Sequence, residues 1–363
     1  HTGEKRFGNW LENLNDWNLS RSRYWGIPLP IWRTAEADEE ICIESIALLS
    51  EEIGKANKKL GLDQKVPEDL HRPFIDEIIL VSASGKPMKR ELDLIDVWFD
   101  SGSMPYAQRH YPMQNRDLID KGITFPADFI AEGVDQTRGW FFTLHAIASM
   151  VFEKVAFKNV VSNGLVLDKN GVKMSKRLGN VIDPFETLAT YGADATRWYM
   201  ISNAQPWDNL KFDLDGIDDV RKKFFGTLFN TYSFFALYAN IDKFSFSEKY
   251  IPLAERQEID RWIISQLNTL VREVGAEYAD YEPTNATRKI MAFVDENLSN
   301  WYVRLCRRRF WKGDYSEDKI AAYQTLYECL VIISKLMAPV SPMFSDWMYR
   351  NLNEATGLEN HPS

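Results

Sequence analysis

Residues 163–184 read NGLVLDKNGVKMSKRLGNVIDP, and the order of structure in this stretch determines how the rest of the chain is interpreted. The run VVSNGLVLD, residues 160–168, predicts a strand, and Asn170-Gly171 predicts a tight turn after it. A lysine-rich loop follows the turn. Pro184 then begins a helix that Gly192 ends. The stretch therefore predicts a strand, a basic loop and a helix in succession.

The same alternation extends upstream. ADFIAE, residues 127–132, predicts a short strand, and Asp135 through Phe152 predicts a helix. Strand, helix and strand in this order, with a loop at the end of a strand, are typical of a doubly wound α/β sheet. Residues 126–203 are therefore predicted to belong to such a sheet.

Downstream of Gly216 the pattern becomes entirely helical. Apolar residues recur at helical spacing in four stretches, which predicts a helical bundle. The four stripes run through Ile217–Phe235, Ile263–Tyr278, Ile290–Leu305 and Tyr323–Met337. Pro339 and Pro342 end the last of them. Residues 216–363 are therefore predicted to form an all-α domain.

Residues 34–70 differ in character from both neighbours. They are charged, and their apolar residues between Ile43 and Ile53 repeat as on an amphipathic helix. Gly61 and Pro67 close this helix. The segment predicts a small helical insertion, and short β-type runs, FIDEIILV and LIDVWF, follow it before Phe99.

The composition limits the class of protein. The net charge of −9 argues against a uniformly basic surface for nucleic acid. No apolar run predicts a membrane span or a signal segment, so a cytoplasmic protein with no membrane partner is expected. Cys42, Cys306 and Cys329 lie far apart without a His/Cys cluster, so no metal ligands and no zinc site are expected in this chain.

The KMSKR loop carries the strongest chemical signal. Lys173 and Lys176 flank Met174 and Ser175, and ammonium groups on a loop suit a polyphosphate. A solvated basic loop is the alternative for such a short pattern. The whole of residues 163–184, however, resembles the second signature of the class I aminoacyl-tRNA synthetases. That resemblance implies that these four residues bind ATP, supplied with Mg²⁺, and that both lysines are catalytic because they stabilise the leaving pyrophosphate.

A second motif, EGVDQTRGW, spans Glu132–Trp140. Gly133 allows close approach of a nucleotide to the backbone, and Gln136 and Trp140 share one helix face. The alternative is a helix capped by Asp135 with a buried tryptophan. The motif resembles the adenylate-binding stretch of the same family. The resemblance implies ribose contacts from Glu132, Gly133 and Asp135, an amino-acid head-group contact from Gln136, and a side-chain pocket lined by Trp140.

Two further motifs refine the resemblance. Trp98, in DVWFDSG, either belongs to a strand core or, as the family resemblance implies, forms the opposite wall of an isoleucine pocket. The run SRSRYWGIPLPIW, residues 20–32, resembles the isoleucyl and valyl branch and favours isoleucine. In this run Arg21 and Arg23 are interpreted as contacts for the acceptor end of tRNA.

A basic segment lies in the helical part. Between Thr284 and Gly313 there are seven Lys/Arg and two acidic residues. Aromatic side chains beside a basic ridge suit an unpaired nucleic-acid loop, through stacking and phosphate contact. A solvated helix face is the alternative. Residues 260–337 resemble the family's anticodon-binding domain, and the predicted tRNA-binding residues are Trp301, Arg304, Arg307 and Arg308.

The resemblance implies ATP-dependent activation of isoleucine to an adenylate, followed by transfer to the 3′ end of the isoleucine tRNA by a monomer. It assigns residues 1–33 and 71–215 to the second half of a Rossmann-type catalytic domain, 34–70 to an insertion, and 216–363 to the anticodon-binding domain. The sequence contains no His-Ile-Gly-His, the family's first signature, so the isolated chain is expected to be inactive. A valine enzyme and a non-catalytic tRNA-binding fragment stay open as alternatives.

Overall fold

The computed structural model describes residues 2–22 and 26–358, and Arg23 lies outside them. The chain forms two compact units, residues 1–160 and 161–363. Strands and helices mix in the first unit, and helices dominate the second. The predicted order of an α/β part followed by a helical part is therefore confirmed.

A four-stranded antiparallel sheet organises part of the first unit. Its strands, in spatial order, are Glu40–Cys42, Ile31–Arg33, Pro87–Arg90 and Ile79–Val81. Helix Ile46–Leu60 packs on this sheet; the Ser45 hydroxyl accepts a hydrogen bond from Leu48 N at its start, and Gly61 ends it.

The predicted insertion shares its core with residues on both sides of it. Leu49 and Ile53 from the helix pack with Trp32, Ile75 and Leu80. Trp32 is 1% exposed, and its indole N–H donates to the carbonyl of Ile78 at 2.9 Å. Residues 34–70 therefore fold together with residues 31–33 and 75–90 around one small core.

Short elements complete the first unit. Ser20–Arg21 pairs antiparallel with Leu94–Ile95, and Ala127–Gly133 pairs with Phe157–Asn163, the strand in which this unit ends. The helical elements are Thr2–Phe7 (π), Gly8–Glu12, Phe74–Glu77 (3₁₀), Val97–Gly102, Met104–Ala107, Arg116–Asp120, Val134–Arg138 (3₁₀) and Trp140–Phe152. Phe125, Phe141 and Leu144 are central to the core beneath the last helix.

Three sequence predictions about local structure are wrong in this unit. The β-type run FIDEIILV begins with a 3₁₀ turn, Phe74–Glu77, and only Ile79–Val81 of it is a strand. The β-type run LIDVWF ends at Ile95, and Val97–Gly102 is a helix, because the Asp96 carboxylate accepts from Trp98 N and caps it. The single helix predicted from Asp135 is a 3₁₀ turn and an α-helix separated at Gly139.

The second unit begins with the KMSKR region. Val166–Leu167 pairs in parallel with Leu210–Lys211, and a 3₁₀ turn covers Lys176–Leu178. The helices that follow are Pro184–Tyr191, Ala193–Asn203, Leu214–Asp219, Val220–Phe225 (π), Gly226–Asp242, Leu253–Glu255 (3₁₀), Glu258–Ala279, Pro283–Ala292, Phe293–Val303 (π), Arg304–Trp311, Glu317–Met337 and Pro342–Thr356.

Helix Glu317–Met337 is the centre of the helical core. By length and mean hydropathy alone it is the one helix in the described residues that is long and apolar enough to span a membrane, a run that the sequence prediction did not single out. However, 72% of its apolar window is buried inside the protein. Tyr323, Leu326 and Leu330 are fully buried among the neighbouring helices, as in the core helix of a bundle.

Candidate active site

The predicted amino-acid-binding residues lie together in the first unit. Gln136 Oε1 accepts a hydrogen bond from Trp140 N at 2.9 Å, so this amide also satisfies the first turn of helix Trp140–Phe152. A Cβ atom at Gly139 would lie 2.6 Å from Gln136 Oε1 and 3.6 Å from Trp98 Cη2. The Gln136 amide and the Trp98 ring therefore both lie beside Gly139, and a methyl group there would have to displace the amide oxygen.

The two tryptophans are linked through a backbone contact. The indole N–H of Trp140 donates to the carbonyl of Ser101 at 2.8 Å, and Ser101 lies on the same short helix as Trp98. Trp98 is 39% exposed and Trp140 is half-buried, so apolar indole surface stays available beside an amide. This combination suits a ligand with an aliphatic side chain and a polar head group.

The predicted ribose-binding carboxylates flank Gly133. Glu132 is exposed near the end of strand Ala127–Gly133, and Asp135 is exposed in the 3₁₀ turn that follows. A Cβ atom at Gly133 would lie 2.6 Å from Asp135 Oδ1, so any other residue there would displace this carboxylate. Asp135 Oδ2 accepts from Gln136 Nε2 at 3.2 Å, which joins the predicted ribose and amino-acid residues.

Sequence reasoning missed Asp96, which is 4% exposed. Its Oδ2 accepts from Trp17 Nε1 at 2.9 Å and from Arg21 Nη2 at 2.5 Å, while its Oδ1 caps the helix that carries Trp98. The structure thus gives Arg21 an internal ion pair. Burial, and then the nearby Asp96, raises the pKa of the Asp100 carboxyl. An acidic residue two positions before Trp98 is the N-cap signal that identifies Asp96.

The predicted phosphate-binding residues belong to the second unit. Lys173 and Lys176 are exposed, and within the described residues neither ammonium forms an ion pair. Met174 is half-buried and packs against the helical core. The Ser175 hydroxyl accepts from Leu178 N at 3.3 Å and caps the 3₁₀ turn. The loop therefore holds both lysines without a neutralising acid, on a backbone that is fixed at several points.

Lys211 adds a cation that the sequence pattern did not indicate. A Cβ atom at Gly171 would lie 3.2 Å from its Cε and 3.9 Å from its Nζ, so the Lys211 side chain lies over the tight turn. The parallel pairing of Leu210–Lys211 with Val166–Leu167 brings it there. Nothing in the local sequence signals this contact, because the two strands are distant along the chain.

In the helical region Trp301 is 56% exposed and packs against Trp262, with ring centroids 6.3 Å apart. The two rings border an open cavity of about 660 Å³, together with Gln257, Glu258 and Ile259. Arg304, Arg307 and Arg308 are exposed, and none of them forms an ion pair within the part of the chain described. Both the aromatic and the cationic components of the predicted tRNA surface are thus available to solvent.

Fewer of the seven Lys/Arg side chains between Thr284 and Gly313 are available at the surface than the sequence suggests. Arg309 is not a surface cation: it binds the fully buried Asp260 at 2.7 Å and also Asp318. Burial raises the pKa of Tyr302, whose hydroxyl donates to Asp260 at 2.6 Å.

Two more cations of this segment have internal partners. Arg288 donates to the carbonyls of Ser202 and Asn203 at 2.8 and 3.1 Å. Lys289 pairs with Glu273 and Glu277. Helical spacing alone did not distinguish these internal cations from Arg304, Arg307 and Arg308.

Comparison with known proteins assigns both parts of the chain. Residues 1–213 match the family profile of tRNA synthetases class I (I, L, M and V). Residues 260–362 match the profile of the anticodon-binding domain of tRNA ligase.

Curated relatives are similar over nearly the whole chain. The isoleucine–tRNA ligase of Bacteroides thetaiotaomicron is 62% identical over 377 residues, which cover 99% of this chain and 32% of the relative. That of Cytophaga hutchinsonii is 66% identical over 356 residues, with 98% and 32% coverage. The chain thus spans about a third of the length of these curated relatives.

Solved structures share the fold at low identity. The Agrobacterium radiobacter LeuRS–tRNA–LeuAMS ternary complex aligns with 99% of this chain and 46% of that chain, at a TM-score of 0.64 and 21% identity. Mycobacterium tuberculosis methionyl-tRNA synthetase in complex with methionyl-adenylate aligns with 85% of this chain and 61% of that chain, at a TM-score of 0.59 and 17% identity. These likenesses confirm the predicted fold class. The family profile covers residues 1–213, which is more than half of this chain. The chain therefore belongs to the tRNA synthetases class I (I, L, M and V).

Proposed function

We propose that this chain is part of an isoleucine–tRNA ligase, which activates isoleucine with ATP and transfers it to the 3′ end of its tRNA. The observation that carries the proposal is the grouping of Trp98, Gln136 and Trp140 beside Gly139. Exposed indole surface takes the aliphatic side chain, and the Gln136 amide binds the head group. The identity to isoleucine–tRNA ligases supports this substrate over valine.

In this proposal the other residues act on ATP. Glu132, Gly133 and Asp135 hold the ribose, while Lys173, Met174, Ser175 and Lys176 bind the phosphates that arrive with Mg²⁺. The protein positions the amino-acid carboxylate for in-line attack on the α-phosphate. The free ammonium groups of Lys173 and Lys176 then stabilise the charge of the departing pyrophosphate.

Residues 216–363 act as the tRNA-binding domain, and the partner is the isoleucine tRNA. Trp301 supplies a stacking surface for an unpaired base, and Arg304, Arg307 and Arg308 contact phosphates. The match of residues 260–362 to an anticodon-binding profile supports this assignment. We further propose that the protein is a cytoplasmic monomer, that residues 1–33 and 71–215 form its catalytic part, and that residues 34–70 are an insertion.

The test is isoleucine-dependent ATP–pyrophosphate exchange by the intact protein, with valine, leucine and methionine as competitors. Trp98→Ala should raise the KM for isoleucine about 10-fold or more, the effect of losing one apolar wall. Trp311→Ala is the matched control, since Trp311 is 53% exposed but lies on helix Arg304–Trp311. Preference for valine would overturn the substrate assignment. The 363 residues alone should show negligible exchange, and substantial turnover by them would contradict that part of the proposal.

A further inference from the structure

A hydrogen-bonded pair, Asp168 and Asn180, lies at the base of the KMSKR loop. Asp168 closes the tight turn: its Oδ1 accepts from Asn170 N at 2.9 Å and from Val172 N at 2.8 Å. Its Oδ2 accepts from Asn180 Nδ2 at 2.9 Å. The hydrogen bond from Asn180, followed by those from the turn, lowers the pKa of the Asp168 carboxyl. The turn before the loop and the residue after it are thus joined by one side-chain contact.

Asn180 uses both ends of its amide on the loop. Its Oδ1 accepts from Ser175 N at 2.9 Å, and its Nδ2 donates to Lys173 O at 3.3 Å as well as to Asp168. One half-buried amide therefore holds the backbone on both sides of Met174. The carbonyl that Asn180 binds is that of Lys173. The N–H that it binds is that of Ser175, the residue before Lys176.

The contacts of the loop backbone contrast with those of its cations. Asn180 binds the backbone, the Met174 side chain packs on the helical core, and Ser175 caps the turn at Lys176. The ammonium groups of Lys173 and Lys176 have no ion pair within the described residues. The loop is therefore fixed through its backbone, while its charges are left for a ligand. This is what preorganised electrostatic stabilisation requires.

We propose that Asp168 and Asn180 are positioning residues for pyrophosphate release, acting through Lys173 and Lys176 without touching the substrate. This inference rests on the proposed function and adds a device to it. A misplacement of about 1 Å in a catalytic group costs roughly 100-fold in rate. Loss of the pair should accordingly lower kcat for exchange by up to about 100-fold and leave the KM for isoleucine unchanged.

The sharpest variant is Asn180→Asp in the intact protein. The new carboxylate still accepts from Ser175 N but faces Asp168 and donates to neither Asp168 nor Lys173 O. Two carboxylates sharing one site raise the pKa of one of them, and the protonated form donates again. The ratio of variant to wild-type kcat should therefore rise as the pH falls from 8 to 6. Lys169, Lys173, Lys176, Arg177, Lys211 and Asp183 are the other charged groups near the loop. They shift the pKa of the new carboxylate pair, but their own ionisation is common to both proteins and cancels in the ratio.

The exchanged double variant Asp168→Asn with Asn180→Asp restores a donor and an acceptor in reversed order. It should recover at least 10-fold of the kcat that Asn180→Asp loses, whereas two merely structural losses would add. Asn300→Ala is the matched control, since the exposed Asn300 amide donates to Asp295 at 2.9 Å within the helical segment Phe293–Val303. Its kcat should equal that of the wild type.

Two outcomes would overturn the inference: an Asn180→Asp variant with wild-type kcat, or a double variant no better than the single one. Failure of the proposed function looks different, because the wild type itself would then show no isoleucine-dependent exchange. Amide hydrogen exchange at Ser175 reads the pair without any substrate. That N–H should be protected in the wild type and should lose its protection in Asn180→Ala; equal protection in both would also refute the pair's role.

Discussion

The buried ion pair of Asp260 and Arg309 supports a quantitative prediction about stability. Asp260 accepts from Tyr302 Oη at 2.6 Å and from the two terminal nitrogens of Arg309 at 2.8 and 2.7 Å. Asp260→Ala removes all three acceptor contacts and leaves a guanidinium whose side chain is 11% exposed. Removing one partner of a buried pair costs about 3–5 kcal/mol. Arg309 keeps Asp318, so we expect about 3 kcal/mol, the lower end of that range.

Tyr302→Phe separates the hydroxyl from the ion pair. It deletes a single hydrogen bond to a charged acceptor, for which about 1.5–3 kcal/mol is typical. Amide hydrogen exchange in helix Glu258–Ala279 measures the free energy of opening for the helical unit without interference from the first unit. Asp295→Ala is the control, because this exposed acid binds only the Asn300 amide among the described contacts and should cost less than about 0.5 kcal/mol.

A loss below about 1 kcal/mol for Asp260→Ala would refute the reasoning, since a largely buried guanidinium that loses one of its two acidic partners should cost more than that. The prediction also separates two neighbouring arginines. Arg309→Ala should destabilise the helical unit. Arg308→Ala should leave stability within about 0.5 kcal/mol of the wild type, as expected for an exposed side chain.

Three other predictions concern single residues. Arg304→Ala should reduce the slope of log tRNA affinity against log salt by about 0.7–0.9, the contribution of one phosphate contact, and an unchanged slope would remove it from the interface. Cys42, which is exposed, should alkylate first at pH 8; burial raises the pKa of Cys306 to about 11 and that of Cys329 further, so both stay protonated thiols until the unit unfolds, and rapid labelling of either would contradict this. Gly133→Ala should raise the KM for ATP about 10-fold with little change for isoleucine, because its methyl group displaces the Asp135 carboxylate.

The sequence was most informative where a pattern is local. The tight turn at Asn170-Gly171 and the helix from Pro184 to Tyr191 were predicted correctly, because turn and capping chemistry depends on neighbouring residues. The long helical stripes were also recovered, although the third runs through a π-helical segment, Phe293–Val303, that periodicity did not reveal.

Contacts between distant residues could not be predicted in this way. Arg308 and Arg309 are adjacent in sequence and have the same charge, yet only Arg309 meets Asp260, which lies on another helix. Trp98 was placed in a β-type run because its apolar neighbours outweighed the capping signal of Asp96. The roles of the individual site residues stay predictions until the variants above are measured.

The hydrogen bond from the Trp140 indole to Ser101 O also bears on how finely the proposed pocket discriminates. One methylene group changes the free energy of ligand discrimination by only about 1–3 kcal/mol. A pocket wall that rotates freely would adapt to the smaller and to the larger ligand alike. Here the orientation of the Trp140 ring is fixed by Ser101 O, a backbone atom of the helix that carries Trp98. The separation of the two indoles thus depends on a polar bond, and replacing Trp140 with phenylalanine would loosen selectivity between aliphatic ligands before it abolished binding.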